Sequence, residues 1–213
     1  MDTVVLLHGL WFNGTDMTLL RRRLARAGYH PVQFSYRTVR VPPPENAFML
    51  NTFLRGVPGE RVHFLAHSLG GIVLRHFFFE FPDQRPGRVV TLGTPHMASA
   101  AARTLSRARP GRAILGESVH RGLLGGLPPW PADRDLGSIA GDLPLGLGLA
   151  IPGIPRPNDG TVAVAETRFP GMRDHATLPV SHLGMLVSRR VFHEALHFFR
   201  NGRFNRSDMN AAI

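Results

Sequence analysis

The 213-residue chain contains no cysteine and no lysine. Without cysteine there can be no disulfide, no thiolate nucleophile and no cysteine-ligated zinc. Without lysine, all 25 cationic side chains are arginines, set against 15 carboxylates for a formal net charge of +10. No basic stripe interleaved with aromatic residues and no nucleic-acid reader motif accompanies that charge, so no nucleic acid is expected as a partner. Weak contact with anionic lipid headgroups is the better use for it. Long apolar runs are also missing: no stretch approaches the 18 uninterrupted apolar residues of a membrane span. No basic and apolar leader precedes the first strand-like run at Thr3, and the expected location is the cytoplasm.

What is present suits a packed globule. Apolar residues make up 43% of the chain and include 14 Phe, enough for one domain with its own core. That domain is read over residues 1–200, with a frayed tail from Asn201.

Continuous apolar, β-branched runs have the look of doubly covered parallel strands. Thr3 to Leu7 is the first, followed by Val32 to Tyr36, Arg61 to Ala66, Arg88 to Leu92, Leu136 to Ala140 and His175 to Val180. Helical patterns fall between them: Met17 to Ala27, Glu45 to Arg55 after a loop at Pro42-Pro43-Pro44, Leu69 to Phe81, and Met97 to Arg109. Ser188 to Arg200 closes the chain as a helix. Strands alternating with helices predict an α/β fold, with a mostly parallel sheet of about six strands covered on both faces. The apolar, helix-poor segment 143–157 reads either as the wall or lid of an acyl pocket or as a packed surface loop.

The chemistry gathers at Phe64-Leu65-Ala66-His67-Ser68-Leu69-Gly70-Gly71. A strand stops at Ser68, and a glycine pair opens the next helix. A serine on such a turn is held out at the end of the sheet in a strained backbone, costing about 1–3 kcal/mol. The tight turn needs small residues two places either side, here Ala66 and Gly70.

Leu6-Leu7-His8-Gly9-Leu10, the Ser68 turn, Gly93-Thr94-Pro95-His96, Asn158-Asp159-Gly160 and Ser181-His182 occur in this order. Together they resemble an α/β-hydrolase of the small esterase/lipase kind, with little or no lid. The Ala-x-Ser-x-Gly form is similar to the elbow of small bacterial lipases. The resemblance implies a serine carboxylic-ester hydrolase with no cofactor and no metal, acting on a small-molecule ester or lipid. In the family order of serine, acid, histidine, Ser68 is the nucleophile, Asp159 the acid and His182 the base. Asp142, directly after the fifth strand, competes for the acid's place, and Asp174 is a poorer third. His182 sits just beyond the last strand. His67 adjoins the nucleophile but is expected to point away from it. The oxyanion hole would take the backbone N–H of Leu69 and, by the resemblance, that of Leu10. A thioesterase or acyltransferase on the same residues is the alternative chemistry, and a catalytically silent binding module is the alternative class.

One motif points elsewhere. His193-Glu194-Ala195-Leu196-His197 matches H-E-x-x-H, which on a helix would hold zinc. No third ligand follows it except Asp208, so the match is read as chance.

Overall fold

The computed structural model describes residues 1–131, 133–146 and 151–205. Six parallel strands form one sheet in the order β2-β1-β3-β4-β5-β6. They are β1 (Thr3–Leu7), β2 (His30–Phe34), β3 (Val62–His67), β4 (Val89–Leu92), β5 (Leu136–Gly141) and β6 (Asp174–Leu178). The helices are α1 (Thr18–Arg26), α2 (Pro43–Leu54), α3 (Leu69–Glu80), α4 (Ala100–Leu105), α5 (Arg109–Leu115) and α6 (Arg189–Asn201).

Side chains of a strand alternate between the sheet's two faces, so one apolar run feeds two cores. From β1, Val5 and Leu7 join α2 and α3 on one face, where Phe64, Phe77 and Phe78 pack. Val4 and Leu6 join α1 and α6 on the other, with Leu20, Leu24, Phe198 and Phe199. β1 and β3 are buried along their whole length, as the continuous apolar runs require.

Local chemistry moves several boundaries. The proline run expected as a loop is instead largely the first turn of α2, with Pro43 and Pro44 at its opening positions. A helix's first amides have no intrahelical acceptor, so proline sacrifices nothing there. The single helix expected over Met97 to Arg109 is two. Ser99 caps α4, its hydroxyl accepting Ala102 N–H at 3.1 Å, and α5 restarts at Arg109-Pro110.

The expected fraying from Asn201 is corrected for residues 201–205. α6 includes Asn201, and Phe204 is buried against Phe198 with ring centroids 5.0 Å apart. Phe204 N–H donates to Asp174 Oδ2 and Asn205 N–H to Glu194 Oε2, both at 2.8 Å. An aromatic anchor and two charge-assisted hydrogen bonds hold this stretch; residues 206–213 of the expected tail lie outside the described residues. Residues 147–150 of the 143–157 segment do too. Of the remainder, Leu143 and Leu145 are exposed, and Pro152 lies beside α4, its carbonyl accepting from Thr104 Oγ1.

Candidate active site

Ser68 stands between β3 and α3 with φ 51° and ψ −116°. That region is costly for a residue with a Cβ, and it persists only where the surroundings over-determine it. Here they do. Ser68 N–H donates to the Leu92 carbonyl at 2.8 Å, continuing the β3–β4 ladder by one rung. Its own carbonyl accepts from Thr94 Oγ1 at 2.8 Å and from Gly71 N–H at 3.1 Å. Gly70 is sterically required: a Cβ there would lie 2.8 Å from both Cβ and the carbonyl oxygen of Leu7.

Asp159 lies in the turn Asn158-Asp159-Gly160, far along the connection from β5 to β6. Its Oδ1 accepts the N–H groups of Thr161 (2.9 Å) and Val162 (2.7 Å), leaving Oδ2 to face His182. The His182 Nδ1 to Asp159 Oδ2 distance is 2.7 Å, and Asp159 is buried. Since the carboxylate only accepts, Nδ1 carries the proton, and Nε2 is left for other work. A second bond braces the pair, from His182 N–H to the Asp159 carbonyl at 2.9 Å. The competing carboxylates are elsewhere. Asp142 is exposed, its backbone N–H tied to the Leu178 carbonyl. Asp174 receives the N–H groups of His175 and Phe204.

Gly93, the first residue after β4, joins the two halves of the site. It has φ 57°, and a Cβ there would sit 2.9 Å from His182 Nδ1 and 3.0 Å from Asp159 Oδ2. The Asp159–His182 pair therefore rests against the backbone that carries on from the Leu92 carbonyl, which holds Ser68. Ser68 and His182 are both nearly buried, at 8% and 7% exposure, so each shows a small face to solvent.

Leu69 N–H is the first amide of α3, where a helix leaves donors without intrahelical acceptors. Leu10 lies in the loop after β1, and that loop is firmly held. Tyr36 N–H donates to His8 Nε2 at 3.2 Å, which puts the ring's proton on Nδ1, 3.0 Å from the Gly9 carbonyl. Tyr36 OH donates to the His8 carbonyl at 2.7 Å, and Trp11 N–H to Thr38 Oγ1 at 3.1 Å. Burial lowers the pKa of His8 and keeps the ring neutral.

Two supporting residues escape a reading of the sequence. His67, expected to point away from the Ser68 side chain, reaches His182. Its Nε2–H donates to the His182 carbonyl at 3.1 Å, with ring centroids 4.7 Å apart. Desolvation, then the neighbouring His182, holds the His67 pKa well below the ordinary histidine value. Glu166 is buried where Oε1 takes Ala100 N–H at 2.6 Å and Oε2 takes Ala163 N–H at 3.0 Å, tying the turn of Asp159 to α4. Burial raises its pKa. A histidine beside the serine and a glutamate in a loop carry no distinguishing pattern before the fold is known.

The H-E-x-x-H residues have other partners. Glu194 is buried and receives Asn205 N–H, while His197 Nδ1–H donates to the Arg203 carbonyl at 2.7 Å. Among the described residues, no three His, Asp or Glu side chains gather to hold a metal ion.

The sheet order, the helices on both faces and the serine turn are those of the α/β-hydrolase fold, and the chain has that fold. No protein-family model and no curated protein sequence matches it. Solved structures do. The mature form of Bacillus licheniformis lipase BlEst2 is similar at TM-score 0.77 and 21% identity, over 94% of this chain and 91% of that one. The propeptide form of the same lipase gives 0.78 at 21% identity over 91% of this chain, which spans 50% of that longer chain. A putative aryl esterase from Burkholderia cenocepacia gives 0.68 at 11% identity, over 94% and 90% of the two chains. At these identities the likeness is one of fold. No helix among the described residues is long and apolar enough to cross a membrane.

Proposed function

We propose that the protein is a serine carboxylic-ester hydrolase working through an acyl-enzyme. The observation that carries this reading is the buried 2.7 Å contact between His182 Nδ1 and Asp159 Oδ2, beside the strained backbone of Ser68. Asp159 fixes the tautomer of His182, so that Nε2 faces the reaction as a base. Ser68 Oγ attacks the ester carbonyl while Nε2 takes its proton. The tetrahedral oxyanion is met by Leu69 N–H and Leu10 N–H; losing one such donor typically costs about 10²–10³ in rate. The imidazolium then protonates the leaving alcohol. Water, activated by the same nitrogen, releases the acid and restores Ser68.

The similar structures named a lipase and an aryl esterase support ester bonds as the substrate class. A fluorophosphonate probe tests the reading directly. Ser68 should be labelled in the native chain, and Ser68→Ala should abolish both labelling and hydrolysis of p-nitrophenyl esters. A native chain that stays unlabelled and hydrolyses no ester would reject it. Activity on acyl-CoA substrates but not on oxygen esters would move the assignment to a thioesterase.

A further inference from the structure

In a parallel sheet, every loop that follows a strand's C-terminal end gathers at one end of the molecule. At this end, apolar side chains stand out into solvent in the loops next to the site residues. Trp11, 52% exposed, follows Leu10, and Leu183, 47% exposed, follows His182. Leu145, 54% exposed, lies where a Cβ on Gly160 would strike its carbonyl, one residue from Asp159. Met97, in the loop after β4, is 57% exposed. Soluble proteins do not leave large apolar rims at one place without a use for them.

Trp11 is fixed in this position. Its φ of 67° is unfavourable for a bulky residue, and two hydrogen bonds hold it there. The backbone N–H goes to Thr38 Oγ1, and the indole N–H goes to the Ile114 carbonyl at 2.9 Å. Ile114 is itself half exposed on α5, so the ring and the helix form one apolar shelf.

Arginines outnumber carboxylates around this shelf. From Met97 to Gly116 the chain carries Arg103, Arg107, Arg109 and Arg112 and no carboxylate. The segment holding Arg37 and Arg40 touches the same end of α5, since Glu117 N–H donates to the Val39 carbonyl at 2.8 Å. Glu117, the nearest carboxylate in sequence, faces His120 at 3.7 Å. Among the described residues, Arg37, Arg40, Arg107 and Arg109 form no ion pair, and Arg103 comes within 4.0 Å of Glu166. At the strands' opposite ends three arginines are paired: Arg61 faces Asp2, and Arg88 and Arg173 face Asp135.

An apolar shelf with unpaired arginines at its edge matches an anionic bilayer surface. The rings and aliphatic chains enter the acyl boundary while guanidinium groups meet headgroup phosphates. A neutral surface would leave the arginines unused, and a nucleic acid would leave the apolar rim wet. We propose that the site-bearing end of this protein docks on a bilayer of anionic lipid, from which the acyl ester reaches Ser68. The proposal rests on the ester-hydrolase reading for what the surface delivers; the docking itself needs no hydrolysis.

The test therefore uses the full chain carrying Ser68→Ala. Vesicles of phosphatidylglycerol with phosphatidylcholine should sediment it at low salt, vesicles of phosphatidylcholine alone should not, and added salt should release it. Of the chain's two tryptophans, Trp130 is buried at 7% exposure, so a blue shift on binding reports Trp11. Arg37→Glu with Arg112→Glu should weaken partition by about tenfold or more, at unchanged circular dichroism. Trp11→Ser should remove the blue shift. No binding to anionic vesicles overturns the proposal, as does equal binding to both vesicle types or binding unaltered in the arginine variant. A Trp11-dependent dimer in sedimentation, with no vesicle binding, would give the shelf to a second copy of the chain. Failure of the hydrolase reading would show separately, as an unlabelled Ser68 in the native protein.

Discussion

His67 Nε2–H donates to the carbonyl oxygen of His182 across 3.1 Å, joining the residue before Ser68 to the proposed base itself. The other ring nitrogen, Nδ1, has no hydrogen-bond partner among the described residues. A Cβ on Gly9 would approach that nitrogen to 2.8 Å. The ring is thus wedged between the loop of Leu10 and the loop of His182. It touches neither of the atoms proposed to react, so it is a positioning residue.

Removing this wedge should slow turnover rather than weaken substrate binding. His67→Ala is expected to lower kcat by about 10–100-fold, the loss of one buried donor to a carbonyl together with some packing. KM for a small p-nitrophenyl ester should change little. His67→Gln, whose amide N–H extends about as far as Nε2–H, should recover part of the loss. A purely structural role would instead lower stability equally in both variants and leave their kcat values alike.

Gly93 gives a sharper steric test. Its φ of 57° and the 2.9 Å approach that a Cβ would make to His182 Nδ1 both oppose any side chain. Gly93→Ala should cost about 1–2 kcal/mol for the left-handed backbone alone. The methyl must also displace the imidazole from Asp159, so fluorophosphonate labelling of Ser68 should slow by about 10²-fold or more. Labelling at the native rate would show that the His182–Asp159 pair does not drive the serine.

The six strands and the serine turn were legible in the sequence because each leaves a local mark. Buried parallel strands are continuous apolar runs, and a strand that ends in Ser-x-Gly before a helical pattern has few other uses. Asp159 and His182 were picked out through their order along the chain and their placement at loop positions, not through any spacing between them, and the fold brings the two side chains within 2.7 Å. What could not be read depends on contacts remote in sequence. Phe204 docks beneath α6 because Asp174, 30 residues away, takes its N–H. Glu166 matters because the fold brings Ala100 to it across 66 residues. The break between α4 and α5 was hidden by an arginine- and alanine-rich stretch whose helical propensity is high on both sides of it.

Asp159 and Asp142, the first two of the three aspartates weighed as the acid, can be separated by one isosteric change each. Asp159→Asn keeps the turn's shape but offers His182 Nδ1 an amide, which no longer enforces the correct tautomer. In Ser-His-Asp enzymes the equivalent loss is of the order of 10⁴ in kcat. Asp142→Asn, at an exposed position, should leave kcat within about twofold. Steady-state hydrolysis of p-nitrophenyl acetate measures both, and the reverse ranking would displace Asp159 from its role.

Acid should destabilise the fold before it protonates His63 in the folded protein. His63 lies buried in β3, its Nδ1 accepting Arg88 N–H at 3.0 Å and its Nε2–H directed at Asp2 Oδ2, 3.4 Å away. Tyr29 and Phe199 pack against the ring. Burial dominates over the attraction of Asp2, and Arg61 and Arg88 add repulsion, so the pKa falls from the ordinary value of 6.5 to about 4. Between those two values the unfolded chain binds a proton that the folded chain refuses, and stability is lost as the pH drops through that window. From pH 7 to pH 5 the expected loss from His63 is about 2 kcal/mol. His63→Gln removes this titration, so its stability should fall less than that of the native chain over the same interval, whatever its starting value at pH 7. Urea unfolding of both proteins at pH 7 and pH 5 measures the difference, and parallel losses would show that His63 is protonated in the folded protein.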